Sequence, residues 1–179
     1  MIPAELLADL SERGLPVCLI GAAALSVHGF SRYSVDVDLL TVDRRALSEL
    51  FWRGAPFLPE VRRGDDDDPL AGVVRWKVDP PVDLVVGKGH AARFAIETAE
   101  ARAGVPCLVA TPLALALLKL EAGSPQDCAD VLSLAVAQRE LNGARWIGEI
   151  EGQLTGLSKE ARRAWESLRP ELARLEAER

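Results

Sequence analysis

The sequence is poor in cysteine and histidine, in aromatic residues, and in long apolar runs, and it has no excess of basic charge. Its three cysteines, Cys18, Cys107 and Cys128, are odd in number and widely spaced, without the CxxC or Cys/His spacing of a zinc site. Two of them lie in apolar stretches, where a small buried hydrophobe is the expected role. The formal net charge of −6 argues against a broad basic surface for nucleic acid. It leaves room for an RNA acceptor recognised by a local patch. No run reaches the 18 or so uncharged apolar residues of a membrane span. The stretch around residues 15–27 is interrupted by Pro16, Gly21 and Ser26, and no basic segment precedes it. Neither a span nor a signal peptide is expected, and the expected location is the cytoplasm. No internal repeat is present.

What is there suffices for a core: 49% of the 179 residues are apolar. Leu6, Leu7 and Leu10 recur at helical spacing in residues 3–13, and Gly14 follows. Residues 17–20 read as a short buried strand and 22–28 as a helix closed by Gly29. Residues 35–41 alternate apolar and acidic, the period of a strand. Residues 44–53 read as a helix and 54–72 as an irregular loop. Within that loop, Asp65–Asp68 is a solvated acidic run rather than a metal site, because consecutive side chains cannot face one point. Residues 73–78 and 82–86 read as an antiparallel pair around Asp79-Pro80-Pro81. A helix over 90–99 and a strand over 105–109 follow. Thr111-Pro112 is a helix start, with Thr as N-cap and Pro at the first helical position, and the helix runs to Gly123. Pro125 opens another. From Trp146 onward the pattern is helical, interrupted at Gly156 and Pro170. The layout is α+β: residues 1–110 form a mixed sheet flanked by helices, and residues 111–179 a C-terminal helical region.

The chemistry concentrates in acids. Asp36 and Asp38 are two apart on a strand, so both carboxylates project from one face. Like charges side by side are costly unless a cation sits between them, and a hard divalent ion such as Mg²⁺ prefers oxygen ligands. Asp83, in the strand-like PVDLVV, is a third acid among apolar neighbours, where a charge needs a partner. Three carboxylates on adjacent strands can hold two metal ions about 4 Å apart, the arrangement used for in-line nucleotidyl transfer. Gly21 stands between a strand and a helix, where N–H groups point outward and phosphate can approach the backbone. One strand, one helix, one loop and a return strand separate Gly21 from Asp36, so cradle and ligands can meet at one sheet edge.

The segment IGAAALSVHGFSRYSVDVDLLT resembles the first motif of the DNA polymerase β-type nucleotidyltransferase superfamily, most closely its AbiEii-like toxin branch. The matching residues are Gly21, His28-Gly29, Arg32-Tyr33-Ser34 and Asp36-Val37-Asp38. The segment TPLALALLKLEAGSPQDCADVLSLA is similar to the same branch, with Lys119 on one helix and Asp127 and Asp130 on the next. The resemblance implies a nucleotidyltransferase-type mixed sheet, an NTP substrate and Mg²⁺, with two ions during catalysis. It implies Asp36, Asp38 and Asp83 as metal ligands, with Asp83 also the general base, and Lys119 as a catalytic residue holding phosphates or balancing the acids. Gly21 and Ala22 would admit the triphosphate. Arg32 and Ser34 would touch phosphate or base, or only shape the loop. Asp127 and Asp130 would orient Lys119 or an acceptor, although a helix-start acid is an equally good account of Asp127. The family has Gly-Gly or Gly-Ser where this chain has Gly21-Ala22, so a hydroxyl is missing and backbone N–H groups remain.

Three functions are open at this stage. One is a metal-dependent transfer of an NMP from an NTP to an acceptor hydroxyl on tRNA, a protein or a small molecule, as a toxin–antitoxin component if the resemblance extends that far. Another is a non-catalytic binding protein or antitoxin on the same fold. The third is a hydrolase using the same acids with water, against which Gly21 speaks. Convergence of the acids discriminates the first two. His28 is expected to be structural, and His90 carries no signal. Arg139, Arg145, Lys159, Arg162 and Arg163 are the basic residues to consider for RNA, with a solvated helical surface as the plainer reading.

Overall fold

The computed structural model describes residues 2–30, 34–65, 70–142 and 145–177. Six strands form one mixed sheet in the order β3-β4-β5-β2-β1-β6. They are β1 (Cys18–Leu19), β2 (Val37–Thr41), β3 (Glu60–Arg63), β4 (Leu70–Trp76), β5 (Val82–Gly87) and β6 (Leu108–Val109). β2 pairs in parallel with β5 and antiparallel with β1, and β4 is antiparallel to both β3 and β5. Three helices belong to this half: α1 (Ala4–Glu12), α2 (Gly21–Val27) and α3 (Gly89–Thr98). Four more follow: α4 (Pro112–Ala122), α5 (Pro125–Asn142), α6 (Arg145–Gln153) and α7 (Lys159–Ala177). The expected α+β class is the observed one. A single apolar cluster runs from Leu6 and Leu10 through Leu39 and Leu84 to Leu117, Trp165 and Leu172. The helical region thus shares its core with the sheet. No helix among the described residues is long and apolar enough to cross a membrane.

Local chemistry accounts for the helix that matters most to the site. Thr111 caps α4, its hydroxyl accepting from the Ala114 N–H at 3.3 Å, and Pro112 occupies the first turn. Gly123 ends it in the left-handed conformation, φ 68°. Between these stops Ala114, Leu115, Ala116, Leu117 and Leu120 are buried, and α4 packs among α3, α5, α6 and α7.

Four expectations need correction. Residues 44–53 form two 3-10 turns, Arg44–Leu47 and Glu49–Trp52, instead of an α-helix. Asp43 caps the first, and extended Ser48 separates them. The stretch 54–72 contains β3 and the start of β4; Val61 is the one apolar residue of β3, so this charged edge strand lacks an alternating pattern. The strand over 105–109 shrinks to two residues, because Pro106 has no N–H to give a ladder. Pro170 lies inside α7 without ending it, since Ala161, Trp165, Leu168 and Leu172 form a buried stripe that holds both sides of the proline in register.

Candidate active site

The site is built on the face of β2 and β5 that carries alternate residues from Asp38 and Asp83. These two are register partners in the parallel β2–β5 ladder, and Leu40 is paired with Val85 one step further on. Side chains of paired strands point the same way, so the two acids stand side by side. Asp36 lies in a bend just before β2, so the strand expected over 35–41 begins at Val37 and does not include it. The β4–β5 pair adds Arg75, the register partner of Asp83. Arg75, Asp83 and Asp38 therefore form one row across three strands.

Gly21 closes the row from the other side. The Ile20 N–H donates to the Asp38 carbonyl at 2.9 Å, tying the end of β1 to β2. Gly21 has φ +64°, and a Cβ there would lie 2.2 Å from Asp38 Oδ2. Only glycine lets the turn backbone lie against this carboxylate. Ala22 is buried, so what it offers outward is backbone.

The row is already compensated by a cation. Arg75 Nε–H donates to Asp83 Oδ1 at 2.6 Å, Nη2 donates to Asp83 Oδ2, and the same nitrogen reaches Asp36 Oδ2 at 3.4 Å. One guanidinium nitrogen thus bridges two of the three acids expected to bind metal. These bonds push the Arg75 pKa further above its ordinary value. The donor set suits a hard divalent ion: three carboxylates, with the Gly21 cradle against one of them. As the side chains stand, however, no three His, Cys, Asp or Glu among the described residues are gathered to hold an ion. The cation between Asp36 and Asp83 is Arg75, a residue that sequence reasoning passed over. Its signal was present in the hairpin register that sets Arg75 opposite Asp83.

Lys119 stands on α4 with its Nζ donating to Asp127 Oδ1 at 2.6 Å and 2.9 Å from Asp130 Oδ2. Its side chain is 13% exposed. Asp127 also accepts from the Ser124 hydroxyl at 2.6 Å and the Ser124 N–H at 3.2 Å at the start of α5. Burial pushes the Asp127 carboxyl up, but the bonds from Lys119 and Ser124 outweigh it and hold it below the usual range. Asp130 is buried and also accepts from Gln126.

A cleft of about 950 Å³ connects the two halves of this arrangement. Gly21, Asp38, Leu40 and Val85 line its sheet side, and Lys119, Glu121 and Asp127 its helical side. Lys88 and His90, at the start of α3, also line it; sequence reasoning gave His90 no part. The His90 Nε2 lies 2.7 Å from Gln153 Oε1.

Asp36, Asp83, Asp130, Ala22 and Ser34 do not line the cleft. Ser34 spends its hydroxyl on the Asp36 carbonyl at 3.0 Å, which shapes the entry to β2. Arg32 lies outside the described residues, as do Asp66–Asp68 and the side chain of Arg139. His28 is a tie between elements, its Nε2 2.8 Å from the Ala110 carbonyl, and burial pushes its pKa down. Burial also pushes the Cys18 thiol up to about 12, as suits a core cysteine. Arg145 pairs with Glu149, and Arg162 and Arg163 are exposed on α7.

No protein-family model matches the chain, and no curated protein does. Solved structures do. A crystal structure of ANT(2")-Ia in complex with adenylyl-2"-tobramycin is similar at 17% identity over 84% of this chain and 95% of that one, TM-score 0.52. A crystal structure of an antigenic nucleotidyltransferase-like protein from Paracoccidioides brasiliensis is similar at 19% identity over 97% of this chain and 89% of that one, TM-score 0.51. The chain has the nucleotidyltransferase fold. A solution structure of ANT(2")-Ia, an antibiotic-resistance factor, aligns at 18% identity and TM-score 0.48 over 97% of this chain and 92% of that one.

Proposed function

We propose that the protein is a metal-dependent nucleotidyltransferase that moves an NMP from an NTP to an acceptor hydroxyl. The observation that carries this reading is the shared cleft: Asp38, held against the Gly21 turn, and Lys119 face one space of about 950 Å³, with Asp83 and Asp36 beside Asp38. That volume is in the range of small-molecule sites. The non-catalytic alternative draws on Arg75, which compensates Asp83 and Asp36 without a metal, and the transfer assay below separates the two readings.

Asp36, Asp38 and Asp83 are the residues that would hold Mg²⁺. When bound, the metal would neutralise the triphosphate and lower the pKa of the attacking hydroxyl. The backbone at Gly21 and Ala22 offers N–H donors to the phosphates. Asp83 accepts the acceptor's proton as a bond forms to the α-phosphorus and the bond to the bridging oxygen breaks, releasing pyrophosphate. Lys119, held by Asp127 and Asp130, presents its charge at the far wall of the cleft.

The helical side of the cleft carries Glu121 and Glu160 beside the Lys119–Asp127 pair. Together with the net charge of −6, this favours a small cationic acceptor over a polyanion. The relative ANT(2")-Ia, crystallised with adenylyl-2"-tobramycin, fits that direction. The AbiEii-like sequence resemblance points instead to tRNA or a protein acceptor and a toxin–antitoxin pair. A transfer assay decides: pyrophosphate release with Mg²⁺ and each NTP, against a panel of polyamines, amino sugars, tRNA and proteins. Release that depends on a cationic small acceptor and falls at least about a hundredfold in Asp83→Asn supports the proposal. Release with tRNA alone moves the acceptor to RNA, and none with any acceptor speaks for the non-catalytic reading.

A further inference from the structure

The β4–β5 hairpin gives the acid row a cation of its own. Arg75 sits one strand over from Asp83, in register with it, and engages both of its carboxylate oxygens. Its Nη2 also reaches Asp36, 39 residues away along the chain. A planar guanidinium matches a carboxylate through two parallel bonds, so this is a specific contact and not a surface encounter.

The two partners differ in freedom. The Arg75 side chain is 40% exposed, whereas that of Asp83 is 11% exposed. The arginine can swing into solvent without disturbing the core, and the aspartate cannot. With the metal absent, adjacent carboxylates would repel one another, and the guanidinium removes that penalty. With the metal present, the guanidinium would place a like charge beside it.

We propose that Arg75 is a counter-ion latch on the acid row: it holds Asp83 and Asp36 in the metal-free protein, and a divalent ion gains those carboxylates only by displacing it. This rests on the reading above that the acids bind metal. Loading the site is then an exchange of one cation for another, and Arg75 sets the metal concentration at which the exchange occurs. Arg75 is a positioning residue in this scheme, acting through Asp83 and Asp36.

The test is Mn²⁺ binding to the full chain without nucleotide, followed by the loss of the free-ion paramagnetic resonance signal. Arg75→Gln removes the competing charge and should bind Mn²⁺ at least about tenfold more tightly than the unaltered protein, the scale of lost charge-assisted hydrogen bonds. Arg75→Lys keeps the charge without the fork and should fall between them. Equal or weaker binding in Arg75→Gln, with binding retained by the unaltered protein, overturns the latch and leaves the metal site standing. Absence of binding in all three overturns both. A second measurement avoids dependence on any variant: the Arg75 Nε–H resonance should be protected from exchange in the metal-free protein and lose that protection as Mg²⁺ is added. Protection that persists at saturating Mg²⁺ overturns the latch.

Discussion

Replacing Gly21 by alanine tests the tightest contact in the site. The new Cβ would fall 2.2 Å from Asp38 Oδ2 in a backbone held at φ +64°. Asp38 has to move, or the turn has to open. Conformational strain of this kind costs about 1–3 kcal/mol, so Gly21→Ala should lower the melting temperature by several degrees. The same variant should lose Mg²⁺-dependent nucleotide binding, because the displaced group is a proposed ligand. A variant that melts and binds like the parent would show that the turn does not fix Asp38. Gly21 was legible in the sequence as a strand-end glycine. The reason it must be glycine was not, because the clash comes from a residue 17 positions later on the neighbouring strand.

At the scale of elements, Lys119 and its two acids pin α5 onto α4. Lys119→Ala would leave Asp127 and Asp130 beside each other without a cation, and breaking a buried pair in this way costs about 3–5 kcal/mol. Asp127 adds a pH dependence. Its folded-state pKa is held below the ordinary aspartate value, so its stabilisation is complete above that value and is lost as pH falls through the lowered one. Urea unfolding of the parent and Asp127→Asn should therefore show a stability gap that is constant near neutrality and narrows below about pH 4. A gap that stays constant into strong acid would contradict the charge-pair account. α4 and α5 were readable because their stop signals are local: Thr111-Pro112, Gly123 and Pro125. β3 and the 3-10 turns after Asp43 were not readable, because charged Glu60, Arg62 and Arg63 carry no period and Ser48 breaks the turns by backbone conformation alone. The acid row was half readable. The DxD alternation placed Asp38 on a strand, but Asp36 falls in the bend before it and Arg75 enters through strand register.

At the scale of the whole molecule, the cleft joins residues that the chain separates by about a hundred positions, Gly21 and Asp38 on the sheet with Lys119 on the helical region. No window of sequence contains it. Packing of α4 against α3 and α7 brings its lining together, which is why Lys88, His90 and Glu121 had no visible part beforehand. Its lining sets the Gly21 turn and Asp38 on the sheet side against Glu121, Glu160 and the Lys119–Asp127 pair on the helical side; under the proposed function the first would take phosphates and the second the acceptor. The central claim is that the sheet side takes a metal–nucleotide complex. Calorimetric titration with non-hydrolysable analogues of the four NTPs in Mg²⁺ tests it most directly, beside the Asp36→Ala/Asp38→Ala double variant. Binding of at least one nucleotide that needs Mg²⁺ and vanishes in the double variant is the predicted result. Failure to bind any of the four, or binding that the double variant retains, would contradict it.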